Sequence, residues 1–179
     1  TSSRLHTKYP KVETVIDTNV SFITSQELID LYPNLTAKER ENVYVKEHPT
    51  TFILQIGDIL SHGEPHDQRA PDYDDWSLNG DLLFWHEALG CAMELSSMGI
   101  RVDDKALLTQ LEKANANDRL AYPFHQQILN NELPLTIGGG IGQSRMCMLL
   151  LSKVHIGEVQ VSLWDEETLN ACKDKVFLL

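Results

Sequence analysis

Pro134-Leu-Thr-Ile-Gly-Gly-Gly-Ile-Gly-Gln-Ser-Arg-Met-Cys-Met-Leu-Leu-Leu151 is the stretch whose reading decides the fold. A short apolar strand, Leu135 to Ile137, is expected to run into glycines at 138, 139, 140 and 142, and an apolar helix should follow with Arg145 in its first turn. Gly138, Gly139 and Gly140 remove every side chain from that backbone, so a flat ligand such as a purine ring could lie against it. The helix N-terminus adds partial positive charge and Arg145 a full one, which together suit a nucleotide polyphosphate.

Two other glycine motifs do not fit. A P-loop closes with Gly-Lys-Ser/Thr, and no Lys follows here. A dinucleotide fingerprint needs a glycine three residues after the second one, where this chain has Gln143. The remaining order of strand, glycines and helix-borne Arg resembles the third motif of the class II aminoacyl-tRNA synthetase catalytic domain, whose Arg contacts ATP. Taken alone, the glycines fit equally well a tight strand-to-helix turn with a surface Arg.

Four further segments favour the first alternative. Arg69-Ala-Pro-Asp-Tyr-Asp-Asp-Trp76, Asn79-Gly-Asp81, Glu94-Leu-Ser-Ser-Met-Gly-Ile-Arg-Val-Asp103 and His155-Ile-Gly-Glu-Val-Gln160 resemble the ammonia-dependent asparagine synthetases (aspartate–ammonia ligases). The likeness runs in order from about Ser25 to Trp164. It implies an α+β domain, with a mixed, mainly antiparallel sheet flanked by helices. That domain would be the C-terminal portion of a class II synthetase-like catalytic fold, over residues 25–179. Residues 1–24 are expected to be an N-terminal remnant or a detached segment. The family has a substantial N-terminal part before this region, and a loop where only Ser77 and Leu78 stand here. The intact flanking motifs favour residues left out of the sequence over a true deletion.

The bulk properties bound the function. At 179 residues with 42% hydrophobic content, one domain with a real core is expected. The net charge of −11, from 26 acidic and 15 basic residues, argues against a nucleic-acid partner, which needs a basic surface. The longest apolar run, Met146 to Leu151, is far short of the roughly 18 residues needed to cross a bilayer. No leader pattern opens the chain, and Cys91, Cys147 and Cys172 read as reduced, buried thiols, so a cytoplasmic protein without a membrane partner is expected.

Local patterns place the elements. Ser25 is expected to cap a helix over Gln26–Leu31, and Thr36-Ala-Lys-Glu39 is a capping box opening a helix to about Glu47. Phe52 to Ile56 has strand length. Pro65 to Trp76 reads as a polar loop, because its carboxylates are too dense for a core. Leu82–Trp85 and Cys91–Leu95 form an expected antiparallel pair. Helices should begin at Asp103 and Pro123, and Val159 to Trp164 should form a last strand.

The chemistry implied by the resemblance is amide formation from aspartate, ammonia and ATP, with Mg²⁺ as cofactor, through a β-aspartyl-AMP intermediate that releases pyrophosphate and then AMP. Carboxylates flanking apolar strands, such as Asp81 and Glu94, are costly unless paired, solvated or bound to metal, and the resemblance implies that these two meet Mg²⁺ and ATP. ATP would also meet Gly138, Gly139, Gly140 and Arg145. Arg101 lies seven residues after Glu94, an odd offset that puts the two on opposite faces of a regular strand. A bulge or bend within Ser96–Gly99 could bring both into one pocket. By the resemblance Arg101 forks onto a substrate carboxylate. The side-chain carboxylate is consumed, so the α-carboxylate is the expected partner, with Ser97 adding a hydroxyl and Asp74 binding the substrate ammonium or ammonia. Asp81, Arg101 and Arg145 are the expected catalytic residues. His62 and His66, two loop histidines with no cysteine nearby, make a poor zinc site. A homodimer is implied. The competing readings are a noncatalytic paralogue that binds an adenylate or amino acid, and an inactive fragment serving as a dimer partner.

Overall fold

The computed structural model describes residues 2–10, 12 and 16–179. The expectation for residues 1–24 therefore falls partly on residues outside those described; within it, α1 covers Ser2–Lys8. The sheet begins with β1 (Ser21–Thr24), followed by α2 (Ser25–Leu31), α3 (Ala37–Glu47) and β2 (Thr50–Leu54). β3 (Asp74–His86) and β4 (Cys91–Arg101) make a long hairpin. Then come α4 (Asp104–Lys113), a 3-10 turn (Asn117–Ala121), α5 (Pro123–Leu129), β5 (Ile137–Ile141), α6 (Gln143–Leu150) and α7 (Glu166–Cys172). The five strands lie in chain order; β1 runs parallel to β2 and every other pair is antiparallel.

Both early helices start on reciprocal caps. Thr36 and Glu39 form the expected box. For α2 the cap is Thr24 and not Ser25, because Glu27 reaches back to the Thr24 N–H and hydroxyl at 2.8 Å. Ser25 is instead buried and donates to the Gln55 carbonyl at 2.6 Å. Leu28 of α2 and Val45 of α3 pack on Ile53, Leu83 and Ala92 to form the main core. A second core under α4 joins Val102, Leu107, Leu111 and Ala116, and a third sets Leu149 of α6 on Phe84 and Leu95.

Further expectations change. The segment Pro65–Trp76 is not all loop, because Asp74 and Asp75 already belong to β3. Between Asp74, opposite Arg101, and Asn79, opposite Gly99, the register slips, so Ser77 and Leu78 stand in a bulge. The strand of the opening segment is not Leu135–Ile137 leading into the glycines: the glycines themselves form β5, paired with Ser96–Ile100. Val159–Trp164 is not a strand. The chain turns at Ile156–Glu158 on a His155–Glu158 cap, and the His155 ring meets Trp164 at 4.9 Å, folding the segment back with Val161 and Leu163 exposed. Nor are the cysteines buried: Cys147 is exposed, Cys91 and Cys172 are half-buried, and all three are free.

Candidate active site

The hairpin register decides which side chains share a face. In an antiparallel pair, residues directly opposite project to the same side. Asp81 lies opposite Ser97, and Ser97 lies opposite Gly140, so the three share one face. Further along, Leu82 pairs with Ser96 but Leu83 pairs with Glu94, which leaves Leu95 as an extra residue. This β-bulge switches the alternation, so Glu94 lies on the same face as Ser97 and Arg101. The seven-residue offset is thereby reconciled, one residue earlier than the Ser96–Gly99 stretch.

That face opens into a cavity of about 490 Å³, lined by Asp74, Glu94, Ser97, Arg101, Gly139, Gly140 and Arg145, among others. Three separate stretches of chain thus meet: the start of β3, the length of β4, and the β5–α6 junction. Arg145 donates to the Glu94 carbonyl at 3.1 Å and stands 3.6 Å from its carboxylate. Half of its side chain is exposed, leaving most of its donors free to meet a ligand.

Asp81 and Gly138 do not line the cavity wall. Asp81 is buried beneath Ser97 and paired with the Arg69 guanidinium, which also reaches Ser97 Oγ at 3.5 Å. Burial is the strongest influence on the Asp81 carboxyl and pushes its pKa up, outweighing the Arg69 guanidinium and the Ser97 hydroxyl that pull it down. Arg69 stood inside a quoted motif with no role given to it. Its partner lies twelve residues on, across a loop, so no helix or strand period relates the two.

Gly138 is covered from above. A Cβ there would lie 2.8 Å from Arg101 Cζ and 3.1 Å from Nε, with Nη2 closer still. Arg101 runs over this bare backbone to pair with Asp74, donates to Tyr73 Oη at 2.9 Å, and stacks with Cζ 3.9 Å from the Tyr73 ring centroid. At Gly139 a Cβ would meet Met98 Cβ at 2.8 Å and the Ser97 carbonyl at 3.1 Å; at Gly140 it would meet nothing within 4 Å. A ligand could therefore lie on Gly140, whereas Gly138 accommodates Arg101 and Gly139 accommodates strand β4.

The loop before β3 is fixed from behind by a residue that local patterning did not single out. Gln110 of α4 is buried; its amide nitrogen donates to the Pro71 and Asp74 carbonyls at 2.9 and 3.1 Å, and its oxygen accepts from Trp76 N–H at 2.8 Å. Asp75, in β3, does not line the cavity and accepts from the Ser77 N–H and hydroxyl at 2.8 and 2.6 Å. His66 lies in the loop as expected, buried there against Glu41, 3.1 Å away. No group of three or more His, Cys, Asp or Glu side chains that could hold a metal occurs among the described residues. Asp81 and Glu94 are two carboxylates on one face. Glu94 lines the cavity, whereas Asp81 is buried and held by Arg69, so a Mg²⁺ that keeps waters and substrate phosphates as its other ligands would meet Glu94 directly and Asp81 only in exchange for its Arg69 pair.

The fold recurs in solved structures. The chain superposes on aspartyl-tRNA synthetase of Entamoeba histolytica with a TM-score of 0.63 at 16% identity, covering 93% of this chain and 38% of that one. Asparaginyl-tRNA synthetase of Pyrococcus horikoshii, solved with asparaginyl-adenylate, matches with a TM-score of 0.58 at 19% identity, covering 87% and 39%. The fold is that of the class II synthetase catalytic domain.

A family model described as aspartate-ammonia ligase matches residues 1–176, and the chain belongs to that family. The aspartate–ammonia ligase of Ligilactobacillus salivarius is 58% identical over 168 residues, 93% of this chain and 50% of that protein. That of Clostridium tetani is 55% identical over 175 residues, 98% and 51%. The chain thus spans about half the length of these curated relatives.

Proposed function

We propose that this chain supplies part of the active site of an aspartate–ammonia ligase that forms asparagine from aspartate, ammonia and ATP. The observation that carries this reading is the Arg101 guanidinium, held over bare Gly138 backbone by Asp74 and Tyr73 and opening into the same cavity as Glu94, Ser97 and Arg145. A fork of this kind suits a carboxylate. Arg101 holds the aspartate α-carboxylate with Ser97 beside it, and Asp74 receives the substrate's ammonium group or the incoming ammonia.

ATP lies over the open Gly140 backbone with Arg145 on its phosphates, a placement supported by the cavity that both residues line. Asp81 and Glu94 would hold Mg²⁺, which when bound neutralises phosphate charge. The aspartate side-chain carboxylate attacks the α-phosphorus and pyrophosphate leaves, giving β-aspartyl-AMP. Ammonia then attacks the acyl carbon, AMP leaves with the bonding pair, and the nitrogen sheds a proton. The chain's residues bind and orient both substrates, which supplies much of the rate. The reading includes a homodimer in the cytoplasm. It includes no nucleic-acid partner, in line with the net charge of −11.

The test is pyrophosphate release and asparagine formation by the whole protein with aspartate, ATP and ammonium. Asparagine should form, with a rate that rises with pH as NH₃ becomes available, and glutamine should not replace ammonia. Pyrophosphate release without asparagine would favour an adenylate-binding paralogue, and neither product would refute the reading.

A further inference from the structure

Next in the chain to Tyr73 and Asp74, and outside the lining of the cavity, Asp72 anchors a charged cluster that the reaction does not use. The Asp72 carboxylate accepts from Arg119 Nη1 at 3.2 and 3.3 Å and pairs with His125 Nε2 at 3.1 Å. His125 is buried in α5, with Tyr122 and Phe124 edge-on at 5.4 and 5.9 Å, and its Nδ1 has no hydrogen-bond partner. Asp72 is therefore the polar group that orients the ring, and the favoured tautomer carries its proton on Nε2. The carboxyl of Asp72 is held below its ordinary pKa: burial raises it, but the hydrogen bonds from His125 and Arg119 outweigh that.

One peptide separates Asp72 from Tyr73, whose carbonyl accepts from Val102 N–H at 3.0 Å and whose ring lies against the Arg101 guanidinium. A continuous path thus runs from His125 through Asp72 and Tyr73 to Arg101. A partly exposed ion pair such as Arg119–Asp72, whose side chains are 39% and 19% exposed, contributes little to stability by itself. A directed hydrogen bond does what apolar packing does not: it fixes the lateral position of one backbone unit.

We infer that Asp72 and His125 are positioning residues that set the affinity for the aspartate α-carboxylate by holding Tyr73 and Asp74 against Arg101. The inference rests on the function proposed above. In the whole protein, Asp72→Asn and His125→Asn should raise the aspartate KM by roughly tenfold or more, while kcat and the ATP KM stay within about twofold. His125→Gln, whose amide N–H reaches close to the position of Nε2, should remain within about threefold of the parent on all three constants.

Unchanged aspartate KM in His125→Asn would overturn the inference. So would a proportional change in all constants that tracks the loss in melting temperature. A parent protein that forms no asparagine defeats only the functional reading. The inference is then judged on the Arg101 Nε–H resonance, assigned with Arg101→Lys. It should move in Asp72→Asn and return in His125→Gln, and a resonance identical to the parent in Asp72→Asn would overturn it.

Discussion

Replacing Gly138 by alanine should separate substrate binding from stability. The new methyl carbon would stand 2.8 Å from Arg101 Cζ, and nearer to Nη2. Carbon atoms settle at roughly 3.5–4.0 Å, so the guanidinium must move by about 1 Å. Arg101 is the far end of a flexible side chain, its side chain 22% exposed, and it can move without disturbing the sheet. The backbone is also no obstacle, because Gly138 has no positive φ. Loss of stability should therefore stay below about 1 kcal/mol, within the range of an unstrained surface change. Binding fares worse, since a misplacement of about 1 Å can cost on the order of a hundredfold in a positioned reaction. The assay is pyrophosphate release with aspartate and ATP varied in turn, beside a thermal melt. The aspartate KM should rise by roughly ten- to a hundredfold, with the ATP KM within about twofold. An unchanged aspartate KM, or a collapse in melting temperature, would refute the assignment of Gly138 to Arg101.

Gly139→Ala meets Met98 Cβ and a backbone carbonyl, neither of which can swing away, and should cost about 1–3 kcal/mol in denaturant unfolding. Arg145→Ala should leave the unfolding midpoint unchanged while reducing kcat/KM for ATP by roughly 2–3 kcal/mol of transition-state binding, measured by steady-state kinetics. Arg69→Gln removes a guanidinium that lowers the Asp81 pKa, so burial should push that carboxyl higher and move the acid limb of the pH–rate profile to higher pH. Glu158, held below its ordinary pKa by hydrogen bonds from Lys153, Val154 and His155 that outweigh burial, contributes stability above the ordinary carboxylate value and loses it as pH falls through the lowered one. Glu158→Gln should accordingly be less stable than the parent near pH 7, with the gap closing in acid melts.

What the sequence determined by itself was local or collinear. The capping box Thr36–Glu39, the starts of α4 at Asp103 and of α5 at Pro123, and the hairpin of β3 and β4 each follow from residues within a few positions of one another. The order of the quoted motifs identified the class of fold for the same reason, since motif order is a property of the chain. Tertiary structure decided the roles of neighbours that look alike. Gly138, Gly139 and Gly140 read as one bare platform, yet one accommodates an arginine from β4, one a strand backbone and one an open cavity, because successive residues of a strand face opposite sides. Val159–Trp164 has the composition of a strand but folds back on His155, since a strand needs a partner as well as a pattern. The pairings of Arg69 with Asp81, Gln110 with Pro71 and His125 with Asp72 join residues 12 to 53 positions apart. No periodicity encodes such distances, and only the packing of loop, sheet and helices brings the partners within reach.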